Sequence, residues 1–341
     1  MADFIYTSTT GSYLYLLNAL HNTGEQVRVG DEDTVEFSPF AAHFSVPQLN
    51  IIDPPGRNLN LAYGIVELLD ILYDDNPGMA PWFNSKLNDY MLNKKLPGHY
   101  GERMNCLVQK TPSFIRNYFE PGYPSQIGRC LKELQIHPNS RRAVITIHNP
   151  MLENYISQDV ACTLNLQFIL RDGYLDLICY MRSNDALWGY CYDTFHWTTL
   201  QMLMASMLTA VGTKAEPGMY HHIAGSFHYY KQRHKQINNI LECANVEYEV
   251  GNMLTIPVAH PQDIRGWLDY LRKIAKSGID NKLTVDSFNY ELPEWVRMSA
   301  LSIAAYCARR HKQKELCDDI LAISKVSSSQ HAIWINHWLS K

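Results

Sequence analysis

The chain has 341 residues, 46% of them hydrophobic and 19% charged, with a formal charge of −4 at neutral pH. That length holds one large domain or two ordinary ones around an ample core. The slight acidity leaves no electrostatic footprint for a polynucleotide, so no direct nucleic-acid partner is expected, although a nucleotide-sized anion needs only a local cluster of arginines.

In chain order, the start Met1-Ala2-Asp3-Phe4 lacks a basic segment followed by an apolar one, and no run reaches the length of a membrane span. A cytoplasmic protein without membrane contact is the expectation. Residues 11–22 space their apolar groups as a helix does until Gly24, and residues 33–48 alternate in places as a strand does. Residues 60–74 predict an apolar helix with Glu67 embedded among aliphatic side chains. Residues 142–149 read as a strand entered from the turn at His137-Pro138-Asn139. Residues 161–170 and 175–182 flank Asp172-Gly173 and predict a β-hairpin, since Asp-Gly favours the tight turn that joins antiparallel strands. Residues 194–211 predict a long buried helix, for which Asp193 is a suitable N-cap. The segment 218–230 returns to strand, and 261–276, 293–312 and 313–340 carry helical patterns. The expected organisation is a catalytic domain over residues 1–250 and a helical C-terminal extension over 251–341, packed on the core or on another subunit. The eight cysteines form no CxxC pair, as expected of reduced thiols and of a protein without a metal.

The informative stretch is Arg182-Ser183-Asn184-Asp185-Ala186-Leu187-Trp188-Gly189, closing at Asp193, with Cys162 at 31 positions before Asp193. It resembles the signature of the thymidylate synthase superfamily. Further matches follow in order: Glu67-Leu68-Leu69, Gly98-His99-Tyr100-Gly101, Ser140-Arg141-Arg142, Gln167, and Gly225-Ser226-Phe227-His228-Tyr229-Tyr230, with Arg28 matching more loosely. Together they span roughly residues 15–240. The fold that the resemblance implies is α/β, of the α+β kind, a large mixed β-sheet flanked by helices.

The chemistry of these residue types agrees. Pyrimidine C5 is a poor nucleophile until a thiolate adds at C6, which makes Cys162 the nucleophile and calls for cationic neighbours such as Arg182 to lower its pKa. Glu67 and Tyr100 are the implied participants in removing the C5 proton. For the nucleotide, the resemblance implies Arg28, Arg182, Ser183 and Gln167 around the phosphate and base, with His228 and Tyr230 on the sugar. Arg141 and Arg142 are implied to reach across from a partner, hence a homodimer. Asp185, Gly189 and Trp188 are the implied contacts of the co-substrate 5,10-methylenetetrahydrofolate.

The departure at Asp193 is the most telling, because a thymidylate synthase carries asparagine there. An amide answers uracil, donating to O4 and accepting from N3–H, whereas a carboxyl group accepts from the N4 amino group of cytosine and, with a shared proton, satisfies N3. Mispairing a buried polar group costs about 1–3 kcal/mol. Thr163, Ala161, Met181 and Tyr192 also depart from the synthase pattern, and Trp82 does not fall where synthases place their shielding tryptophans, which would admit water. The expectation is a deoxycytidylate hydroxymethylase, a one-carbon transferase of the kind that serves phages with modified DNA. A dCMP methylase, a CMP hydroxymethylase, thymidylate synthase itself and a nucleotide-binding interaction module without activity remain as alternatives.

Overall fold

The structure is a computed structural model that describes residues 2–104, 125–150, 159–243 and 251–341. Its strands form two sheets. The larger contains β1 (Ala2–Tyr6), β4 (Phe40–Phe44), β5 (Val144–Thr146), β6 (Thr163–Arg171), β7 (Tyr174–Met181) and β9 (Glu216–Ala224), in the order β1-β4-β9-β7-β6-β5. It is mixed: β1 runs parallel to β4 and β7 parallel to β9, while the other pairs are antiparallel. The smaller contains β2 (Glu25–Val29), β3 (Glu32–Phe37), β8 (Asn184–Asp185) and β10 (Phe227–Tyr230), ordered β2-β3-β10-β8. The expected α/β class with mixed sheet flanked by helices is thus what the chain adopts. The strand expected over 33–48 is two strands broken at Pro39, a residue with no N–H to offer a ladder.

The helices before the central hairpin are α1 (Thr9–Thr23), α2 (Leu61–Tyr73), α3 (Ala80–Phe83), α4 (Tyr100–Met104) and α5 (Gln126–Ile136). After it come α6 (Gly189–Ala210), α7 (His234–Glu242), α8 (Pro261–Ile279), α9 (Glu294–Arg310), α10 (Lys314–Ser324) and α11 (Gln330–Leu339). α6 is the axis of the core, with Leu200, Leu203, Met204 and Met207 fully enclosed between the larger sheet and α2. It begins at Gly189, five residues earlier than expected, so Asp193 lies inside its second turn and does not cap it.

The hairpin β6–β7 is built by its turn. Asp172 and Gly173 take φ of 51° and 83°, and Arg171 pairs with Tyr174. The register holds as far as Asn165 opposite Tyr180, then shifts by one residue so that Thr163 faces Met181. Beyond the hairpin the chain changes sheets. β7 gives way to β8 through Arg182-Ser183, and β9 to β10 through Gly225-Ser226, side by side. The crossing is tight: a Cβ on Gly225 would sit 2.8 Å from the Arg182 carbonyl oxygen.

The helices α8 to α11 follow residues 244–250, which lie outside the described residues together with the expected boundary at 250. α9 packs against α2, α8, α10 and α11. Polar ties reinforce this contact. Trp334 Nε1 on α11 donates to the Leu59 carbonyl at 2.8 Å, just before α2. Gln330 Oε1 accepts from the Asn50 amide at 3.1 Å, and Tyr306 on α9 donates to the Phe83 carbonyl at 2.9 Å. Trp334 is 2% exposed and stacks on Trp338. Replacing it, Trp334→Ala, is expected to destabilise the whole chain by about 3–5 kcal/mol, read as a lower urea midpoint at unchanged slope.

Candidate active site

The end of the hairpin places a thiol beside a guanidinium. Cys162 precedes β6, and its carbonyl accepts from the Arg182 amide at 2.9 Å. The Arg182 side chain folds back over that backbone, donating to the Ala161 carbonyl at 3.0 Å and the Val160 carbonyl at 2.8 Å. Its Nη2 also lies 3.5 Å from Cys162 Sγ. Arg182 draws the thiol pKa down, but burial outweighs it, and the net position is about 11. The expected lowering by cations is therefore not what the protein alone provides. Three carboxylates, Asp193, Asp159 and Asp185, push in the same direction as burial.

Two carboxyl groups from neighbouring helices complete the pocket. Glu67 on α2 accepts from the Tyr63 hydroxyl at 2.5 Å, and its other oxygen lies 3.6 Å from His196 Nε2 on α6. Burial holds His196 neutral, with a pKa near 4, and its Nε2 donates to the Gly64 carbonyl at 2.9 Å. The contact with Glu67 is consequently not an ion pair. Burial raises Glu67 to about 7, against the Tyr63 bond. Asp193 rises to about 8, first through burial and then through the charge of Glu67. Tyr100, at the start of α4, receives 3.3 Å and 3.4 Å bonds from the Thr163 amide and hydroxyl, next to the nucleophile candidate. Its hydroxyl feels the charges of Asp193 and Cys162, and burial sends its pKa well above the ordinary value. Cys162, Glu67, Tyr100 and Asp193 therefore form one cluster.

The rest of the motif forms its rim. Asp185 Oδ1 accepts from the Leu187 and Trp188 amides at 2.8 Å and 2.6 Å, which shapes the turn into α6. Asp185 pairs with His228 in the β8–β10 ladder. His228 Nδ1 lies 3.2 Å from Ser226 Oγ, whose proton goes to Glu36 at 2.5 Å, so His228 Nδ1 is the donor in that contact. The rings of His228 and Tyr230 meet edge to face. Trp188 stands between two cations, with the Arg57 guanidinium 5.1 Å and the Lys86 ammonium 4.7 Å from its ring centre. Ser183 is half-buried in the link between the sheets.

Four expected residues are not brought to this cluster within the protomer. Arg28, on the edge strand β2, is exposed; it donates to the Gly30 carbonyl and lies 4.0 Å from Asp31. Arg141 and Arg142 are exposed beside the edge strand β5, where Arg142 pairs with Glu133 at 2.8 Å. Gln167, in mid-strand on β6, donates to the Arg141 carbonyl at 3.0 Å. Trp82 packs on α9 against Tyr306 and Arg310, which accounts for its poor fit to a shielding position.

Three residues escaped the sequence reading. Asn184 donates to Asp193 Oδ2 at 2.8 Å, and fully buried His222 lies 3.0 Å from Asn184 Oδ1. The polar spacer Asn184 inside a charged motif was the available signal. Arg57 is 1% exposed, and its guanidinium nitrogens have no hydrogen-bond partner among the described residues. Nothing in Pro54-Pro55-Gly56-Arg57 distinguishes it from a surface turn. Among the described residues no cluster of His, Cys, Asp or Glu able to hold a metal forms, and no helix is long and apolar enough to cross a membrane.

A thiol near 11 reacts slowly at neutral pH. Alkylation of Cys162 by iodoacetamide, followed by peptide mass analysis, is expected to accelerate with pH up to about 11 in the free protein. Arg182→Met is expected to slow it severalfold at pH 8, because the guanidinium that draws the thiol pKa down is gone.

Residues 76–263, more than half of the chain, match the sequence model of the thymidylate synthase family. The chain is 28% identical over 237 residues to the deoxyuridylate hydroxymethyltransferase of Bacillus phage SP01, covering 67% of this chain and 59% of that protein. It is 28% identical to the thymidylate synthases of Oenococcus oeni over 155 residues (46% of this chain, 45% of that one) and of Enterobacteria phage T4 over 130 residues (38% and 43%). The chain thus spans about half the length of the curated relatives it matches. Thermostable thymidylate synthase A from Bacillus subtilis superposes with a TM-score of 0.56 over 72% of this chain and 87% of its own, at 19% identity, a likeness of fold. This chain belongs to the thymidylate synthase family.

Proposed function

We propose that the protein is a deoxycytidylate hydroxymethylase, converting dCMP, 5,10-methylenetetrahydrofolate and water into 5-hydroxymethyl-dCMP and tetrahydrofolate. The observation that carries this reading is the Asp193 carboxyl, held near pKa 8 where a synthase has an amide. A neutral carboxyl both donates and accepts, as cytosine N3 and the N4 amino group require. In this reading Cys162 Sγ adds to C6 as its proton leaves, and Arg182 beside it stabilises the thiolate. Glu67 then takes the C5 proton, and its position beside Tyr63 and His196 keeps it partly out of water. The co-substrate supplies the one-carbon unit. Arg57, buried against the rings of Trp188 and Tyr192, brings a cation to the place where an anionic aromatic co-substrate would meet that indole. Water then gives the hydroxyl oxygen as Cys162 is released, and nothing is oxidised or reduced overall.

Around this chemistry, His228 and Tyr230 hold the sugar and Arg182 and Ser183 serve the nucleotide side, whereas Arg28 and Gln167, which lie away from the cluster within the protomer, would serve it only after Arg28 folds in or a second subunit packs on. Arg141 and Arg142 serve a second subunit. Their exposure within one protomer supports that dimer, as do the half-buried Ile169, Ile178, Tyr180, Met219 and Ile223 on the outer face of the larger sheet. Residues 251–341 form a helical extension whose function is to hold α2, and so Glu67, in place. A deoxyuridylate hydroxymethylase is the second reading, favoured by the similarity to the phage SP01 protein.

Mass analysis of the product from dCMP, CMP and dUMP, each with methylenetetrahydrofolate, separates these readings. A hydroxymethyl adduct on dCMP, abolished by Cys162→Ala, is the expected result; a methyl product with dihydrofolate would replace the hydroxymethylase reading with a methylase. Asp193→Asn is expected to move preference toward dUMP by about tenfold or more. The pH profile follows from the two raised carboxyl groups. Base removal needs Glu67 ionised, so turnover rises as pH passes about 7, and reading cytosine needs Asp193 protonated, so it falls above about 8. Tritium release from C5 of labelled dCMP should show both limbs, and Asp193→Asn should lack the alkaline one.

A further inference from the structure

A neutral carboxyl group recognises two bases equally well. With the hydroxyl toward N3 and the carbonyl oxygen toward position 4 it reads cytosine; with the two exchanged it reads uracil, accepting from N3–H and donating to O4. Something other than Asp193 must decide which oxygen holds the proton.

The structure supplies a chain of buried neutral groups that ends on one of those oxygens. The Tyr220 hydroxyl lies 2.8 Å from His222 Nδ1, His222 Nε2 lies 3.0 Å from Asn184 Oδ1, and Asn184 Nδ2 donates to Asp193 Oδ2 at 2.8 Å. Tyr220 and His222 are fully buried and Asn184 is 2% exposed. Because the Asn184 amide points its NH₂ at Asp193, its oxygen faces His222, which therefore carries its proton on Nε2. Burial keeps His222 neutral, with a pKa near 3, so Nδ1 is an acceptor and Tyr220 is the donor. Every hydrogen bond thus runs from β9 toward Asp193. Gly189 leaves the room for it: a Cβ there would stand 2.9 Å from Asn184 Nδ2 and 3.3 Å from Asp193 Oδ2.

We propose that Asn184, oriented by His222 and Tyr220, is the positioning residue for base specificity: by donating to Oδ2 it makes that oxygen the carbonyl and leaves the hydroxyl on Oδ1. This rests on the functional reading above. Oδ2 then keeps a lone pair for the N4 amino group, and Oδ1–H donates to N3. The cost of the wrong base is an acceptor against an acceptor and a donor against a donor within a buried site. Neither Asn184 nor His222 touches the substrate in this scheme.

The test compares kcat/KM for dCMP and dUMP by tritium release from C5 in the full-length protein. Asn184→Leu and His222→Phe should lower the dCMP preference about tenfold or more, with the loss in the ratio exceeding any common loss in kcat. His222→Gln, which keeps an N–H donor for Asn184, should restore the preference to within about threefold of the native protein. Gly189→Ala presses on the same hydrogen bond without removing a buried polar group, and it should lower the ratio even if the first two variants do not fold. Unchanged preference in folded Asn184→Leu and Gly189→Ala overturns the inference and leaves the hydroxymethylase reading intact. A native preference for dUMP overturns the cytosine reading and, with it, the assignment of Oδ2 as the oxygen that accepts from N4. Turnover of neither nucleotide by the native protein overturns both.

Discussion

The register of one hairpin decides where the chemistry sits. From the Asp172-Gly173 turn the strands β6 and β7 pair in step, and had they continued in step Cys162 would have faced Ser183. The irregularity between Thr163 and Asn165 removes one residue from the count and sets Cys162 opposite Arg182. Because side chains alternate faces along a strand, a slip of one residue would send the thiol and the guanidinium to opposite sides. The Leu164 carbonyl, accepting from both Ile147 and His148, holds the bulge on the β5 side. The next residues after Arg182 cross to the smaller sheet, and from there the chain turns through Asp185 into α6. The Cys162 thiol, the Arg182 guanidinium and the Asp193 carboxyl are thus spaced by backbone geometry before any side chain is chosen.

Burial is the second constraint, and it works against the first. The site gathers Glu67, Asp193, Asp185 and Cys162, all of which desolvation drives toward their neutral forms, and one cation in contact with the thiol is not enough to reverse this. Reactivity in such a pocket is conditional. The groups share few charges while the pocket is empty, and each proton that moves changes the tendency of its neighbours to move theirs, as the influence of Glu67 on Asp193 shows. A thiol held neutral by burial stays quiet until a neighbouring change lowers its pKa.

How much of this was legible in the sequence depended on the range of the signal. The hairpin was readable because Asp172-Gly173 is a local turn, and α2 because Glu67 stood out among aliphatic residues. The start of α6 was not, since Gly189 and three aromatic or thiol-bearing residues in its first turn carry little helix preference of their own, and the segment is helical because Asp185 caps the preceding turn amides and the sheet covers it. Strands β1 and β2 are short and lie at sheet edges, and residues there show little alternation. The cluster Cys162, Glu67, Tyr100 and Asp193 was found through motif order. Arg57 and the pair Asn184 and His222 were not, because what sets them apart is burial, a property of contacts between segments up to 132 residues apart in the case of Asn60 and Tyr192 that frame the same region.

The relation between Asp193 and its neighbours also bears on what a single substitution can mean. An amide has a fixed donor and a fixed acceptor, so once oriented it specifies one base by itself. A carboxyl group gains its polarity from where its proton rests, and that is a property of the surroundings. Exchanging asparagine for aspartate therefore transfers the choice of base from one side chain to whatever donates to it. Here the donor is a buried asparagine, with a neutral histidine and a tyrosine behind it, all without charge and all pointing one way. The similarity to a hydroxymethyltransferase of deoxyuridylate and the presence of aspartate at this position are then not in conflict. In the reading proposed above, the polarity of a buried hydrogen-bond chain is what separates the two pyrimidines.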